Sequence, residues 1–213
     1  MHSRLPGKQI DFRRRNQFVW PTGLLLVSLA AGLWAWRLSH RATCPSWTPI
    51  AQERLKSGDI VFIAGKTLRS TVVRFLELGK CDYTHVGMVV VEDGAPCVIH
   101  ADPKQHRIVR ELWSEIVNPD RIVSGAVYRI NDYTGNAAAT ATATACSYLS
   151  KRLPFDDTFD LHAQDKLYCT ALIWRAYLSA GVDLCPGALN STDHYLLPSK
   201  LIESKAIHPV CVF

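Results

Sequence analysis

The 213-residue chain is 48% hydrophobic and 20% charged, the composition of a folded protein with room for one ordinary domain and an appendage. Its formal charge of +5 is concentrated at the start, where Arg4, Lys8, Arg13, Arg14 and Arg15 face only Asp11, so the remainder is near neutral. No basic stripe with interleaved aromatics follows, and no nucleic-acid partner is expected.

Residues 1–17 form this basic tail. From Phe18 to Trp36 the run FVWPTGLLLVSLAAGLWAW carries no charge, and about 20 such residues cross a hydrocarbon core as a helix. Trp20 near one end and Trp34 and Trp36 near the other match interfacial aromatics, and Pro21 falls in the first turn, where it costs little. Basic residues are denser before this segment than after it. That bias predicts one transmembrane helix over 18–36 in the inner (cytoplasmic) membrane, with the N-terminus cytoplasmic and the rest periplasmic. A cleaved secretory signal is the alternative, since the basic start, the LLLVSLA run and the small residues Ser28, Ala30 and Ala31 also fit one. On either reading the globular part is exported. Residues 37–51, with Pro45 and Pro49 and no periodicity, read as a linker to a domain over 52–213.

Five segments are short, β-branched and bounded by Gly, Pro or Asp: residues 58–65, 84–93, 96–102, 106–112 and 124–130. They predict strands of a mostly antiparallel sheet, with Asp93-Gly94 as a tight turn joining the second to the third. Between the first two, residues 67–79 place Leu68, Val72, Phe75 and Leu76 at helical spacing, with Gly79 as a stop. The alanine-rich run over 134–153 predicts another helix, with Thr134 as its cap and Pro154 just beyond. A carboxylate cluster follows, Asp156, Asp157 and Asp160, which lacks the glycine and distal glutamate of a calcium loop and reads as turn capping.

The last clear helix opens in YCTALIWRAY. Cys169, Leu172, Ile173, Ala176 and Ala180 recur at helical spacing, and Gly181 ends it. Trp113, Trp174 and Tyr177 read as core residues. Of seven cysteines none forms a CxxC pair or a Cys/His ligand spacing, so no metal site is expected, and the odd count leaves at least one thiol unpaired.

Cys169 stands in the first turn of its helix, where free amide protons and the positive helix end favour a thiolate. A thiol nucleophile needs a base and the base an orienting partner. His85 opens the second strand, with Gly87 two residues on leaving space, and His100 ends the third. A turn centred on residues 93 and 94 sets His85 opposite Asp102 and places His100 diagonally from it on the same face. A buried structural cysteine and satisfied structural histidines are the competing readings.

GDIVF, THVGMVV, VIHA, LPFDDTFD and YCTALIWRAY, in that order over about residues 55–200, resemble the permuted NlpC-type papain-like cysteine hydrolases, the YiiX/YebB-like branch related to lecithin:retinol acyltransferase-like proteins. The resemblance implies an α+β, circularly permuted papain-like domain with an antiparallel sheet packed on helices. It also implies Cys169 as nucleophile, His85 as general base, His100 as the residue that orients it, and the Cys169 backbone amide as an oxyanion donor. No cofactor and no metal are implied. Phe155 stands where relatives place a tyrosine, and Ala171 where many have glutamate. The expected function is an envelope cysteine peptidase or amidase that cuts peptidoglycan-derived peptides through a thioester. An acyl-lipid hydrolase or acyltransferase, and a non-catalytic peptide- or lipid-binding module, are the alternatives.

Overall fold

In the computed structural model the described residues are 52–67, 73, 77, 80–132, 134–190 and 195–213. The expected membrane segment at 18–36, the linker, and most of the helix expected at 67–79 lie outside them. Of that helix, one bond is described, from the Glu77 N–H to the Val73 carbonyl at 2.9 Å, with the i to i+4 spacing of an α-helix. Among the described residues no helix is long and apolar enough to cross a membrane.

The strands are β1 (Ile60–Gly65), β2 (His85–Glu92), β3 (Ala95–Asp102), β4 (Arg107–Leu112), β5 (Ile122–Ile130) and β6 (Ile207–Val212). They form one antiparallel sheet in the order β4-β3-β2-β1-β5-β6. Helices α1 (Trp113–Ile116), α2 (Asn136–Ser150), α3 (Cys169–Ser179) and α4 (Pro198–Ile202) complete the described elements, with single 3-10 turns at Gln52–Arg54 and Ala188–Asn190. All five expected strands are present, and Trp113, Trp174 and Tyr177 are core residues as expected.

Both faces of the sheet are covered, which is why β1 and β2 read as nearly continuous apolar runs. Ile60, Phe62, Val86, Met88 and Ile99 pack on one face with Leu172, Ile173 and Ala176 of α3 and with Ala141 and Ala145 of α2. Val61, Ile63, Val89, Val98 and Val127 pack on the other with Leu55, Trp113, Ile116 and Phe213. Each such fully buried aliphatic side chain stabilises the fold by about 1.5–3 kcal/mol before entropy is counted. The α3 helix is buried nearly all round, because the sheet lies on one side of it and α2 and the later loops on others.

Asp93 (φ +49°) and Gly94 (φ +80°) both adopt left-handed backbone, the pair of conformations that closes a two-residue hairpin without splaying its strands. Two local expectations are corrected. The α2 helix ends at Ser150, and its first amides are satisfied chiefly by Asp132, whose carboxylate accepts the Ala137 N–H at 2.7 Å, while Thr134 accepts the Asn136 N–H at 3.3 Å. Strand β6 was not among the expected strands, and it contains Pro209. Proline is tolerated there because β6 is the sheet edge, where an N–H on the open side has no partner to lose.

Candidate active site

The hairpin register follows the turn. Glu92 pairs with Ala95, Val91 with Pro96, Val90 with Cys97, Val89 with Val98 and Met88 with Ile99, and there the ladder stops. Beyond that point Gly87, Val86 and His85 pair only with β1, while His100, Ala101 and Asp102 pair only with β4. The β2–β3 ladder therefore ends just short of both histidines. Beside that end of β2 stands the head of α3: Tyr168 is the extended N-cap residue and Cys169 the first helical one. The backbone of Val86, the residue following His85, lies close enough to the Cys169 thiol to favour its thiolate form.

Strand alternation puts His85 and His100 on the face of Ile63, Val89 and Val98, opposite the face that α3 covers. His85 Nε2 and His100 Nδ1 are hydrogen-bonded at 2.9 Å, with the rings close to perpendicular at 87°. The diagonal pairing expected from the turn is thus observed. Gly87 makes it possible: a Cβ there would stand 2.4 Å from Val98 Cγ1 and 3.2 Å from His100 Cβ. His100 is 3% exposed, whereas His85 and Cys169 are half-buried and retain contact with solvent.

Burial dominates the electrostatics. It lowers the His85 pKa to about 3 and that of His100 to about 4, with the Arg121 charge acting in the same direction and Asp102 opposing on both rings; His100 further lowers His85. Both rings are neutral near pH 7. Cys169 departs from expectation. Desolvation pushes its thiol up to about 11, outweighing hydrogen bonds from the backbone of Val86, Thr170 and Cys169 itself. The helix-end effect falls off within a turn and is smaller than the cost of burying a thiolate. The resting pair is therefore a neutral thiol and a neutral imidazole.

Around this centre the chain is clamped. The Tyr168 hydroxyl accepts the Leu196 N–H at 2.7 Å, and the Thr170 hydroxyl donates to the Leu196 carbonyl at 2.5 Å. Leu196 in turn borders a cleft of about 660 Å³ lined also by Leu161, Leu184, Tyr195, Lys200 and Glu203. Phe155 is buried and packs edge-on against Phe159, which does the same against Tyr168. Ala171 is 1% exposed in the core and offers no surface to a substrate.

The other sequence candidates behave as structural groups. Asp156 accepts the Thr158 amide and hydroxyl and the Asp160 amide, and pairs with Lys166 at 2.9 Å, which is turn capping. His106 occupies a left-handed turn position, exposed, 3.5 Å from Asp157, and His208 bonds Asn131 at 2.7 Å. His162 is exposed and His194 lies outside the described residues. Six described cysteines carry free thiols; Cys44 lies outside that set. Sequence reasoning passed over Tyr168, Glu111 and Arg121, since no local motif marks them.

Comparison with known proteins agrees with this architecture. Over 162 residues the chain is 25% identical to the uncharacterized protein YiiX of Escherichia coli (strain K12), covering 75% of this chain and 72% of that one. The crystal structure of the metalloprotein YiiX from Escherichia coli O157:H7 superposes with a TM-score of 0.61 at 18% identity, covering 74% of this chain and 97% of that one, a likeness of fold. That protein is named a metalloprotein; among the described residues of this chain no group of three or more His, Cys, Asp or Glu is placed to hold a metal ion, and the described residues do not fit one. The family of permuted papain-like amidase enzymes matches residues 54–199, which is most of the chain and all of the sheet except β6. The chain belongs to the permuted papain-like amidases of the YaeF/YiiX, C92 family.

Proposed function

We propose that the protein is a cysteine amidase that hydrolyses an amide bond in a peptide through a thioester, with Cys169 as nucleophile, His85 as general base and His100 as the residue that orients it. One observation carries the reading: the His85–His100 hydrogen bond of 2.9 Å lies at the end where the β2–β3 ladder stops, and Val86, next to His85, is the strand residue whose backbone acts on the Cys169 sulfur.

His85 Nε2 is engaged with His100, so Nδ1 is the nitrogen left for the thiol proton. As that proton moves to Nδ1, the sulfur attacks the carbonyl carbon and a tetrahedral oxyanion forms against the Cys169 backbone N–H. Collapse breaks the C–N bond, and the imidazolium returns its proton to the departing amine, leaving a thioester. Water then attacks the thioester while His85 accepts its proton. The C–S bond breaks, the carboxylic acid departs, and the proton goes back to sulfur.

For substrate, the cleft beyond Leu196 favours peptide over lipid: Asp183, Lys200, Glu203 and Lys205 line it beside the leucines, a mixed polar and apolar wall that matches a peptide better than an acyl chain. An exported position behind the 18–36 segment makes peptidoglycan-derived peptides the natural class. The test is incubation of the full chain in mild detergent with muropeptides and, separately, with phospholipids, products being read by mass spectrometry against Cys169→Ala and His85→Ala. New amine and carboxylate ends from muropeptides alone, abolished in both variants, are expected. Lipid products instead would move the substrate class. Turnover that persists in Cys169→Ala refutes the mechanism, and binding without turnover makes the scaffold a peptide- or lipid-binding module.

A further inference from the structure

We infer that Glu111 is a positioning residue for this site: its carboxylate selects the His100 tautomer that leaves His85 Nδ1 bare to receive the Cys169 proton. The inference rests on the proposed roles of Cys169 and His85, but the feature it starts from is independent of them. His100 Nε2 is buried and has no hydrogen-bond partner among the described residues. It faces Glu111 Oε2 at 3.8 Å. Glu111 projects from β4, where it pairs with Val98, so it shares the face of His100 two residues along β3. Its carboxylate is held by Arg121, whose Nη1 donates to Oε2 at 2.8 Å and to the Glu115 carbonyl at 2.8 Å.

Two neutral imidazoles joined through one hydrogen bond have two proton arrangements. In the first, His85 Nε2–H donates to a bare His100 Nδ1. His100 then carries its proton on Nε2, directed at the carboxylate, and His85 Nδ1 is a free acceptor. In the second, His100 Nδ1–H donates to His85 Nε2. His100 then turns a bare nitrogen lone pair toward an anion, and His85 carries its proton on Nδ1, where it blocks acceptance from sulfur. A negative charge 3.8 Å from Nε2 in a buried setting favours the first arrangement. Two other charges act on both rings. Asp102, whose Oδ1 accepts the Lys104 N–H at 2.8 Å, draws protons toward the pair, and Arg121 opposes a full second proton. Arg121 thus keeps His100 neutral while its partner Glu111 decides which nitrogen is protonated. A carboxylate behind an imidazole sets its tautomer in the same manner at other buried sites.

The experiment combines a direct and a kinetic readout on the full chain. Long-range ¹H–¹⁵N spectra of the ¹⁵N-labelled protein identify the protonated nitrogen of each ring, with assignments from His85→Gln. Iodoacetamide alkylation of Cys169, followed across the neutral pH range, reports proton acceptance by His85. In the unsubstituted protein, protons on Nε2 of both rings are expected. Glu111→Gln is expected to bring in the His100 Nδ1–H form and to slow alkylation at neutral pH by roughly 10-fold to 100-fold, with Glu111→Asp recovering part of it. A proton on His100 Nδ1 in the unsubstituted protein overturns the inference, whatever the variants do. So does a folded Glu111→Gln protein with unchanged tautomers and unchanged alkylation. If Cys169 in the unsubstituted protein fails to alkylate through His85, the hydrolase reading fails separately, and the spectra still decide the role of Glu111.

Discussion

Replacing Gly87 by alanine should strain the sheet at the point where the two histidines meet. An added Cβ would stand 2.4 Å from Val98 Cγ1, 3.2 Å from His100 Cβ and 3.2 Å from the Ile99 carbonyl oxygen, against an optimal carbon–carbon separation of about 3.5–4.0 Å. The contact with Val98 is therefore about 1 Å too close. Val98 is 0% exposed and packed among Val89, Trp113 and Phe213, so it has nowhere to rotate. Overpacking of this kind costs about 1–3 kcal/mol, offset by about 0.5–1 kcal/mol because alanine loses less backbone freedom than glycine in a strand. A net loss of about 1–2 kcal/mol follows. Urea denaturation of Gly87→Ala, Val98→Ala and the double variant isolates the cause. Val98→Ala alone should cost about 2 kcal/mol for two buried methyl groups, and the pair should show a favourable coupling of at least about 1 kcal/mol, since the new methyl enters space the old one vacates. Single effects that add to within about 0.5 kcal/mol would refute the steric argument. Because His100 must also give way by a few tenths of an ångström, turnover should fall by more than stability does.

Acid should weaken the fold through the two histidines. Their folded pKa values, about 3 and about 4, lie below the ordinary 6.5, so their contribution is complete above 6.5 and is lost as the unfolded chain binds protons that the folded one refuses. Stability should drop by up to about 1.4 kcal/mol per pH unit for each ring between pH 6.5 and these folded values, a slope that urea midpoints measure and that His85→Gln should reduce. Alkylation of Cys169 in His85→Ala should rise only toward its raised pKa of about 11, and an inflection near that of a free cysteine would contradict the assigned burial. Tyr168→Phe leaves the Leu196 N–H without its acceptor and should cost about 1–3 kcal/mol, read as a lowered melting temperature. Arg129→Ala strips the partner from Asp59, which is 1% exposed and bonded by Arg129 Nε at 2.6 Å, and should cost about 3 kcal/mol or more, an effect that Asp59→Asn in the same chain should partly relieve.

Much of the site could be read one strand at a time. The Asp93-Gly94 pair fixes a two-residue hairpin, a two-residue hairpin fixes register, and register alone places His85 and His100 on a common face. Helical spacing after Tyr168 likewise locates Cys169 in a first turn. Those inferences succeed because backbone periodicity and turn geometry are local. Strand β6 was missed; its Pro209 is compatible with a strand only at a sheet edge, and edge position is a property of the assembled sheet.

The chain order of residue types determined the α+β class, the hairpin, the facing histidines and the cysteine at a helix start. Only the packed structure decided that the β2–β3 ladder stops at Met88 and Ile99, that a glutamate from β4 faces the orphaned nitrogen of His100, and that the Cys169 thiol is held protonated. The physical reason is one of range. Dihedral preferences and side-chain periodicity act over a few residues, whereas desolvation and cross-strand electrostatics depend on everything that surrounds a group once the chain has closed on itself.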